Sequence, residues 1–352
     1  MRFMHISDVH LGVKPDQGRA WSERRTQDIW DSFAEVIAVA ARKKIEYLFI
    51  TGDLFHAQPL KRELKEVGRL FEQIPQTKIF LIAGNHDYLQ PKSYYLSYPW
   101  PDNVYFFPKE EVEAIDFPKD NITVYGLSYW HREIRERLYD EVRPANGKRI
   151  NLFLAHGGDE KHIPCNPTTF VNNGFDYTMM GHIHKGGQLI PGKVTMAGAL
   201  EPTDCNDFGP HGYWMGELEK GHCVLQFFPI QKCQYCVETF PVEQKTTGRE
   251  VLEWARNLIQ ESEPYQLFRI QLKGYADPDM EFGLERIEAL EQVLDVTCDI
   301  LPNYDYEKLK EEHQNTLVEA YITSMQEMEQ TNITKKALEY GVSALLGHQI
   351  CR

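Results

Sequence analysis

Five short motifs built on histidine and aspartate are strung along the first 184 residues, and each follows a run of aliphatic and β-branched side chains. They read Asp8-Val9-His10, Gly52-Asp53-Leu54-Phe55-His56, Gly84-Asn85-His86-Asp87, His156-Gly157 and Gly181-His182-Ile183-His184. A short apolar run bounded by such residues reads as a buried strand, so all five motifs fall where a strand ends and a loop begins. A rigid sheet edge holds ligand atoms to a fraction of an ångström, which metal-ligand chemistry requires. The chain is therefore constrained to a sheet whose strand ends carry the chemistry.

Seven of these side chains offer donor atoms: Asp8, His10, Asp53, Asn85, His156, His182 and His184. Imidazole nitrogen, amide oxygen and carboxylate oxygen are present and thiolate is absent. That mixture suits Mn²⁺, Fe²⁺ or Zn²⁺ better than Ca²⁺ or a cysteine-bound structural zinc. In an extended chain residues two apart point the same way, so Asp8 with His10, and His182 with His184, are each expected to converge on one spot. For seven side chains to hold two ions, one carboxylate must bridge, and Asp53 is the natural choice. A bridged pair of ions clamps a phosphoryl group and lowers the pKa of a shared water.

The pattern between the motifs predicts alternating strands and helices. A strand over Met1–Ser7 leads into an amphipathic helix near Glu23–Lys43, with Ile29, Phe33, Val36, Ile37 and Ala40 on one face. Strand Tyr47–Thr51, helix Leu60–Gln73 and strand Lys78–Ala83 follow. Short strands broken by Pro108, Pro118 and Gly126 come next, then strands near Asn151–Ala155, Tyr177–Met180 and Lys193–Ala197. Alternation of this kind specifies α/β with a mixed sheet and helices outside it. Tyr213–Leu218 and Cys223–Phe228 form a hairpin around Glu219-Lys220-Gly221-His222. Beyond it, strand Cys236–Phe240, helix Arg249–Gln260, strand Gln266–Leu272, helix Glu281–Leu294 and strand Val296–Ile300 suggest a small α+β domain. Two helices, Tyr306–Gln330 and Thr334–Leu346, parted by Thr331-Asn332-Ile333, complete the chain. The expected division is 1–232, 233–302 and a helical tail over 303–352.

The ordered series of Asp-x-His, Gly-Asp, Gly-Asn-His-Asp, His and Gly-His-x-His resembles the calcineurin-like metallophosphoesterase superfamily. Asp8-Val9-His10-Leu11-Gly12, Gly52-Asp53-Leu54-Phe55-His56 and Gly181-His182-Ile183-His184-Lys185 are similar, within it, to the SbcD-type nucleases of double-strand-break repair. Leu54-Phe55-His56 stands where the protein-phosphatase branch carries Val-Asp-Arg-Gly, which argues against a serine/threonine phosphatase. Ala197-Gly198-Ala199-Leu200-Glu201-Pro202 resembles the nuclease branch's Gly-Ser-Pro-Glu-Pro, with Ala199-Leu200 replacing Ser-Pro.

The resemblance implies a four-layer α/β/β/α sandwich, a small α+β capping domain that orients DNA, and two metal ions, Mn²⁺ foremost with Fe²⁺, Zn²⁺ or Mg²⁺ as alternatives. One ion would lie among Asp8, His10, Asp53 and His184, the other among Asp53, Asn85, His156 and His182. His86 is similar to the family's general acid or phosphate-orienting histidine, Asp87 would hold its imidazole in the productive tautomer, and His56 would contact the scissile phosphate. Implied partners are DNA, an SMC-like ATPase of SbcC type docked by the C-terminal helices, and a second copy of the chain through helices near the first motifs. For the tail, the absence of any linker instead favours packing on its own chain.

Composition bears on the substrate and the compartment. The net charge of −14 sits awkwardly with DNA, whose phosphates draw on lysine and arginine. Of the basic residues near the motifs, Lys14 and Lys185 are the expected DNA contacts. Seven cysteines include one close pair, Cys233 and Cys236, with no second pair to complete a zinc site. The chain opens on a strand rather than a leader and carries no apolar run of membrane-spanning length, so a cytoplasmic enzyme is expected. Three functions fit: a Mn²⁺-dependent DNA exonuclease or endonuclease working with an ATPase, a stand-alone phosphodiesterase for small nucleotide or cyclic-nucleotide diesters, and a scaffold that binds an ATPase or DNA ends. A scaffold has no physical need of seven converging ligands.

Overall fold

Strands buried on both faces must lie inside a layered structure, and the motif-bearing strands are of that kind. A computed structural model describes residues 1–19, 21–278 and 280–347, in two units divided between Gln234 and Tyr235. The first unit begins β1 (Arg2–Ile6), α1 (Ser22–Lys43), β2 (Tyr47–Thr51), α2 (Lys61–Phe71), β3 (Lys78–Ile82), α3 (Tyr94–Ser97) and β4 (Val104–Phe106). It continues with β5 (Glu113–Phe117), β6 (Ile122–Gly126), β7 (Ile150–His156), α4 (Pro167–Asn173), β8 (Tyr177–Gly181), β9 (Gly187–Ile190) and β10 (Val194–Met196). The hairpin β11 (Gly212–Glu219) and β12 (His222–Pro229) closes it.

These strands form two six-stranded sheets, ordered β12-β11-β1-β2-β3-β4 and β5-β6-β7-β8-β10-β9. Each has four consecutive parallel strands: β1 to β4, running to the edge of the first sheet, and β6, β7, β8 and β10 at the centre of the second. The long-range β11 pairing, Arg2 opposite Glu217 through His5 opposite Trp214, returns the hairpin to the first sheet beside β1. Alternation along the strands then assigns the faces. Phe3, Tyr47, Phe49, Phe80 and Ile82 pack with Val124, Leu152, Leu154, Tyr177 and Met179 between the sheets. Met4, Ile6, Leu48, Ile50, Ile79 and Leu81 face outward onto Ile29, Phe33, Val36 and Ile37 of α1 and Leu64 and Val67 of α2. Phe153, Ala155, Met180 and Val194 pack outward with Phe170 of α4. The order of layers is helix, sheet, sheet, helix.

The helix α1 shows how local sequence supports this arrangement. Its buried residues recur at helical spacing, Arg42 and Lys43 sit in the last turn where the helix dipole favours cations, and Lys44 in left-handed conformation closes it by donating to the Ala40 and Ala41 carbonyls. The Glu201 carboxylate, wholly buried, accepts from Ser32 Oγ at 2.5 Å and from the Lys232 amide at 2.6 Å, with the Arg25 guanidinium at 3.4 Å. It fastens the segment after β10 to α1.

In the second unit β13 (Gln234–Val242), β14 (Gln266–Ala276) and β15 (Val293–Pro302) form a three-stranded sheet, accompanied by α5 (Gly248–Glu261) and α6 (Leu284–Glu288). The sequence pattern predicts a helix over Glu281–Leu294, but only Leu284–Glu288 is helical. Gly283 enters it in left-handed conformation, and Val293 and Leu294 belong to β15, where Val293 lies opposite Phe268 in a long parallel pairing. Tertiary pairing overrides local helical spacing there. The helix expected over Tyr306–Gln330 is likewise divided into α7 (Tyr306–Glu312) and α8 (Leu317–Glu327), with Asn315 in left-handed conformation at the break. The last helix, α9 (Asn332–Leu346), starts two residues before the expected Thr334 because Thr331 caps it. Val318, Ile322, Leu338 and Val342 pack with Tyr304. These helices therefore cover one another, with Leu317, Met328 and Ile333 left exposed.

Candidate metal centre

The motifs occupy the C-terminal ends of parallel strands, the edge at which open α/β sheets place ligands. β1 delivers Asp8 and His10, β2 Asp53, β3 Asn85 and His86, while His156 is the last residue of β7 and His182 and His184 follow β8 directly. Two loops are zipped together beneath them. The Asp8 amide donates to the Gly52 carbonyl at 3.2 Å, His10 to Asp53 at 3.0 Å, Leu11 to Leu54 at 2.9 Å, and His56 back to Leu11 at 3.1 Å.

Extended pairing does not bring the ligands together. Asp8, His10 and Asp53 have φ of 50°, 51° and 50°, and His182 has φ of 101°. Non-glycine residues seldom adopt this region, and each costs on the order of 1–3 kcal/mol unless its surroundings over-determine it. Here the loop ladder and the buried carboxylates do so. The Asp8 carboxylate accepts from the His182 amide at 2.9 Å, and Asp53 Oδ1 from the His86 amide at 2.8 Å. Glycine is required beside them: a Cβ on Gly84 would strike the Asp53 carboxylate and come within 2.7 Å of His156 Nε2.

The donor atoms gather into two poles. At one, His10 Nε2 lies 3.1 Å from His184 Nε2, 4.0 Å from Asp8 Oδ1 and 3.9 Å from Asp53 Oδ2. At the other, Asn85 Oδ1 lies 2.9 Å from His156 Nε2 and 3.0 Å from His182 Nδ1, and His156 Nε2 is 3.4 Å from Asp53 Oδ2. The same oxygen of Asp53 thus faces both poles. The expectation that His182 and His184 converge on one spot is corrected. The left-handed turn at His182 sends its ring towards Asn85, whereas that of His184 faces His10.

Each of the three histidines from the second sheet is anchored through its outer nitrogen. His156 Nδ1 lies 2.8 Å from the Thr51 carbonyl, His182 Nε2 2.7 Å from Asp159 Oδ2, and His184 Nδ1 2.8 Å from Asp207 Oδ2. Sequence reasoning missed Asp159 and Asp207. Asp159 follows His156 by three residues and Asp207 sits in a polar turn, contexts in which an aspartate reads as an ordinary loop residue.

His86 and His56 stand at the mouth of the site with ring centroids 5.0 Å apart, and the His86 ring is 4.8 Å from that of His10. The pairing expected between Asp87 and the His86 imidazole is not what the structure contains. Asp87 is buried and accepts from the Gly84 amide at 2.7 Å, the Phe55 amide at 3.2 Å and the Tyr95 hydroxyl at 3.1 Å. His86 Nδ1 instead lies 3.2 Å from the His56 carbonyl. The short Gly-Asn-His-Asp turn folds the aspartate inward as a brace while its histidine remains at the surface. Lys14 and Lys185 are exposed and form no ion pair with any described residue. The Cys233 thiol is buried, and Cys236 Sγ accepts from Gln266 Nε2 at 3.7 Å.

The chemistry of the donor set fits divalent cations. Asp8 Oδ1 is buried without a hydrogen-bond partner among the described residues, in a position that faces His10. Burial opposes protonation of His156, yet the Asp53 carboxylate overcomes it and raises this imidazole to about 9. Burial likewise opposes protonation of His184, and its hydrogen bond to Asp207 with the charges of Asp8 and Asp207 raises it to about 8. Burial lowers His10 and His182 instead, so the carboxylates favour positive charge at His156 and His184, and the donor set supplies the oxygen and imidazole ligands that bind Mn²⁺, Fe²⁺ or Zn²⁺. The sets Asp8–His10–His184 and Asp8–Asp53–His156 each bring three donor atoms within 4.8 Å of one another.

A family profile for calcineurin-like phosphoesterases matches residues 1–186, more than half of the chain. The chain belongs to the calcineurin-like phosphoesterase family. Among relatives of this phosphoesterase, the uncharacterised metallophosphoesterase YhaO of Bacillus subtilis (strain 168) is 27% identical over 248 residues, covering 64% of this chain and 60% of that protein. The DNA double-strand break repair protein Mre11 of Sulfurisphaera tokodaii is 30% identical over 215 residues, covering 54% of this chain and 52% of that protein. The phosphoesterase thus matches about half to three-fifths of the length of these curated relatives. A dimetal phosphatase structure from Danio rerio superposes with a TM-score of 0.39 at 13% identity, over 66% of this chain and 98% of that one. No helix among the described residues is long and apolar enough to cross a membrane.

Proposed function

We propose that this phosphoesterase is a two-metal phosphodiesterase acting on DNA, a Mn²⁺-dependent exonuclease or endonuclease that works with an SMC-like ATPase. The observation that carries the two-metal reading is the single Asp53 oxygen facing two separate imidazole poles. Asp8, His10, Asp53 and His184 would hold one ion and Asp53, Asn85, His156 and His182 the other. When bound, such ions neutralise charge on phosphoryl oxygens and make water a stronger acid. The DNA reading draws on the repair proteins among the relatives, and the capping role of the second unit and the docking of its helices on an ATPase go with it.

The chain's own contribution is proton handling and placement. A carbonyl only accepts, so the His56 carbonyl holds a proton on His86 Nδ1. Nε2 is then the nitrogen that exchanges a proton with the leaving oxygen or orients the phosphate. His56, exposed beside it, contacts the substrate from the same side. Asp87 acts through the backbone: it fixes Gly84 and Phe55, and with them the loops bearing Asn85, His86 and His56.

The acidic balance of the chain favours a second reading, a phosphodiesterase for small diesters that needs no extended basic surface. Hydrolysis of end-labelled duplex DNA, measured beside a chromogenic small diester, with Mn²⁺ and with chelator, separates the two. Mn²⁺-dependent release of nucleotides from DNA is the expected result. Cleavage of the small diester alone, unchanged when the ATPase partner is added, would replace the nuclease reading with the second.

A further inference from the structure

Two aspartates outside the seven-ligand set make opposite choices at the two histidines of Gly181-His182-Ile183-His184. Asp159 meets His182 at Nε2, and Asp207 meets His184 at Nδ1. An ionised carboxylate accepts and cannot donate, so each fixes a proton on the nitrogen it touches and leaves the other nitrogen as the lone-pair donor. His182 is left with Nδ1, beside Asn85 Oδ1, and His184 with Nε2, beside His10 Nε2. Neighbouring histidines thus present different ring atoms to different poles.

Both carboxylates are themselves held in place. Asp159 Oδ1 accepts from the Lys161 amide at 2.8 Å, the His162 amide at 2.9 Å and His162 Nδ1 at 2.9 Å. Asp207 Oδ2 accepts from the Thr203 amide at 3.0 Å, Thr203 Oγ1 at 3.1 Å and the Asp204 amide at 3.2 Å. Asp159, His162 and His182 lie close enough to suggest a third cation site. The contacts of 2.7 and 2.9 Å from the aspartate to the two rings are direct hydrogen bonds, however, and the Asp159 carboxylate already accepts two amides besides.

We infer that Asp159 and Asp207 are positioning residues that set the affinities of the two poles separately, Asp159 through His182 Nδ1 and Asp207 through His184 Nε2. The inference rests on the two-metal reading above. The carboxylate–imidazole pair raises the basicity of the ligating nitrogen and locks its ring, and loss of such a partner weakens metal binding by about 10–100-fold. Because each aspartate touches one ligating histidine (the second ring on Asp159, His162, belongs to neither pole) and each ligating histidine faces one pole, the two losses are expected to be separable.

Titration of the chelated full-length chain with Mn²⁺ alone tests this. Wild type is expected to take up two ions. Asp159→Asn should retain one at wild-type affinity and bind the other about 10–100-fold more weakly, with the same result for Asp207→Asn, while the double variant weakens both. Asp204→Asn, which changes charge in the same turn without touching His184, should bind as wild type does. If Asp207→Asn loosens its turn, seen as a lower melting temperature of the chelated protein, Thr203→Val separates the causes. It removes the turn contact to Asp207, together with the 3.3 Å contact of Thr203 Oγ1 to His184 Nδ1, but keeps the Asp207–His184 pair, so retained affinity assigns the effect to the carboxylate and an equal loss overturns it. Cadmium-substituted protein gives an independent readout by NMR: coupling to Nδ1 of His182 and Nε2 of His184 is expected, and the same nitrogen in both would overturn the inference. Two ions bound with unchanged affinity in both single variants, or both ions weakened equally in each, would overturn it as well. Failure of wild type to take up two ions would instead remove the two-metal reading.

Discussion

The two sheets of the first unit supply donor atoms by different means. The first contributes Asp8, His10, Asp53 and Asn85, all buried, three of them on left-handed backbone and tied to one another by main-chain hydrogen bonds. The second contributes histidines only, and its last two, His182 and His184, keep 12% and 26% of their side-chain surface open. Backbone and burial hold the first set, with the His182 and His86 amides completing the hold on Asp8 and Asp53. The buried His156 has the Thr51 carbonyl on its outer nitrogen, and at the partly open edge His182 and His184 each have a carboxylate there to fix the ring. The first sheet thus resembles a mould and the second a set of guyed posts.

The largest expected effect lies in the mould. Asp53 Oδ2 faces both poles, so Asp53→Asn should lose both ions together and reduce hydrolysis by several orders of magnitude, as removal of metal by chelator should. Metal analysis of the purified variant checks it, and retention of one ion would show that another group, with Asp8 the nearest candidate, bridges. His86→Ala removes a side chain that stands at the rim of the mould without belonging to either pole. Turnover should fall by about 10²–10⁴-fold while both ions remain. Undiminished hydrolysis at normal metal content would end the role given to His86.

Substitutions of glycine sharpen the contrast next. A Cβ at Gly84, at the end of β3, collides with Asp53 and His156, so Gly84→Ala should impair metal uptake more than folding. At Gly181, the end of β8, it collides with Ser7 Oγ and with the Thr51 carbonyl that anchors His156, so it reaches a ligand only through that carbonyl. Gly181→Ala should therefore act first on stability, costing about 1–3 kcal/mol. Chemical denaturation of chelated protein, compared with metal titration of both variants, tells whether the two glycines differ in this way. Equal losses in both assays would erase the distinction.

Much of this was legible in the sequence, and the illegible part has a physical pattern. Strands leading to the motifs are visible because both of their faces are buried, which leaves near-continuous apolar runs. The ligands are visible because each sits at the end of such a run. Left-handed conformations at Asp8, His10 and Asp53 are invisible, since no glycine marks them and extended spacing suggests the opposite. Asp159 and Asp207 are hidden for another reason: a carboxylate in a polar turn has the same sequence context whether it meets solvent or an imidazole. Asp87 was misread through adjacency, because the residue next to His86 in the chain turns to Tyr95 and two amides instead. The short helix α6 was misread because long-range pairing of β15 claims residues whose spacing is helical.

The smallest expected effect concerns Lys185, which follows the second sheet's last histidine and is exposed without an ion pair among the described residues. If DNA lies across this edge, Lys185 neutralises one phosphate. Each such contact releases condensed counterions and adds about 0.9 to the slope of log affinity against log salt on duplex DNA. Lys185→Ala should thus reduce the slope by roughly one, weaken binding uniformly across sequences, and leave metal content and hydrolysis of a small diester unchanged. Lys14→Ala makes the same test at the edge of the first sheet. A slope altered by Lys185→Ala alone would place the strand over the open, carboxylate-anchored histidines. A slope altered by Lys14→Ala alone would place it over the mould, and no change in either would remove both lysines from the DNA-binding surface.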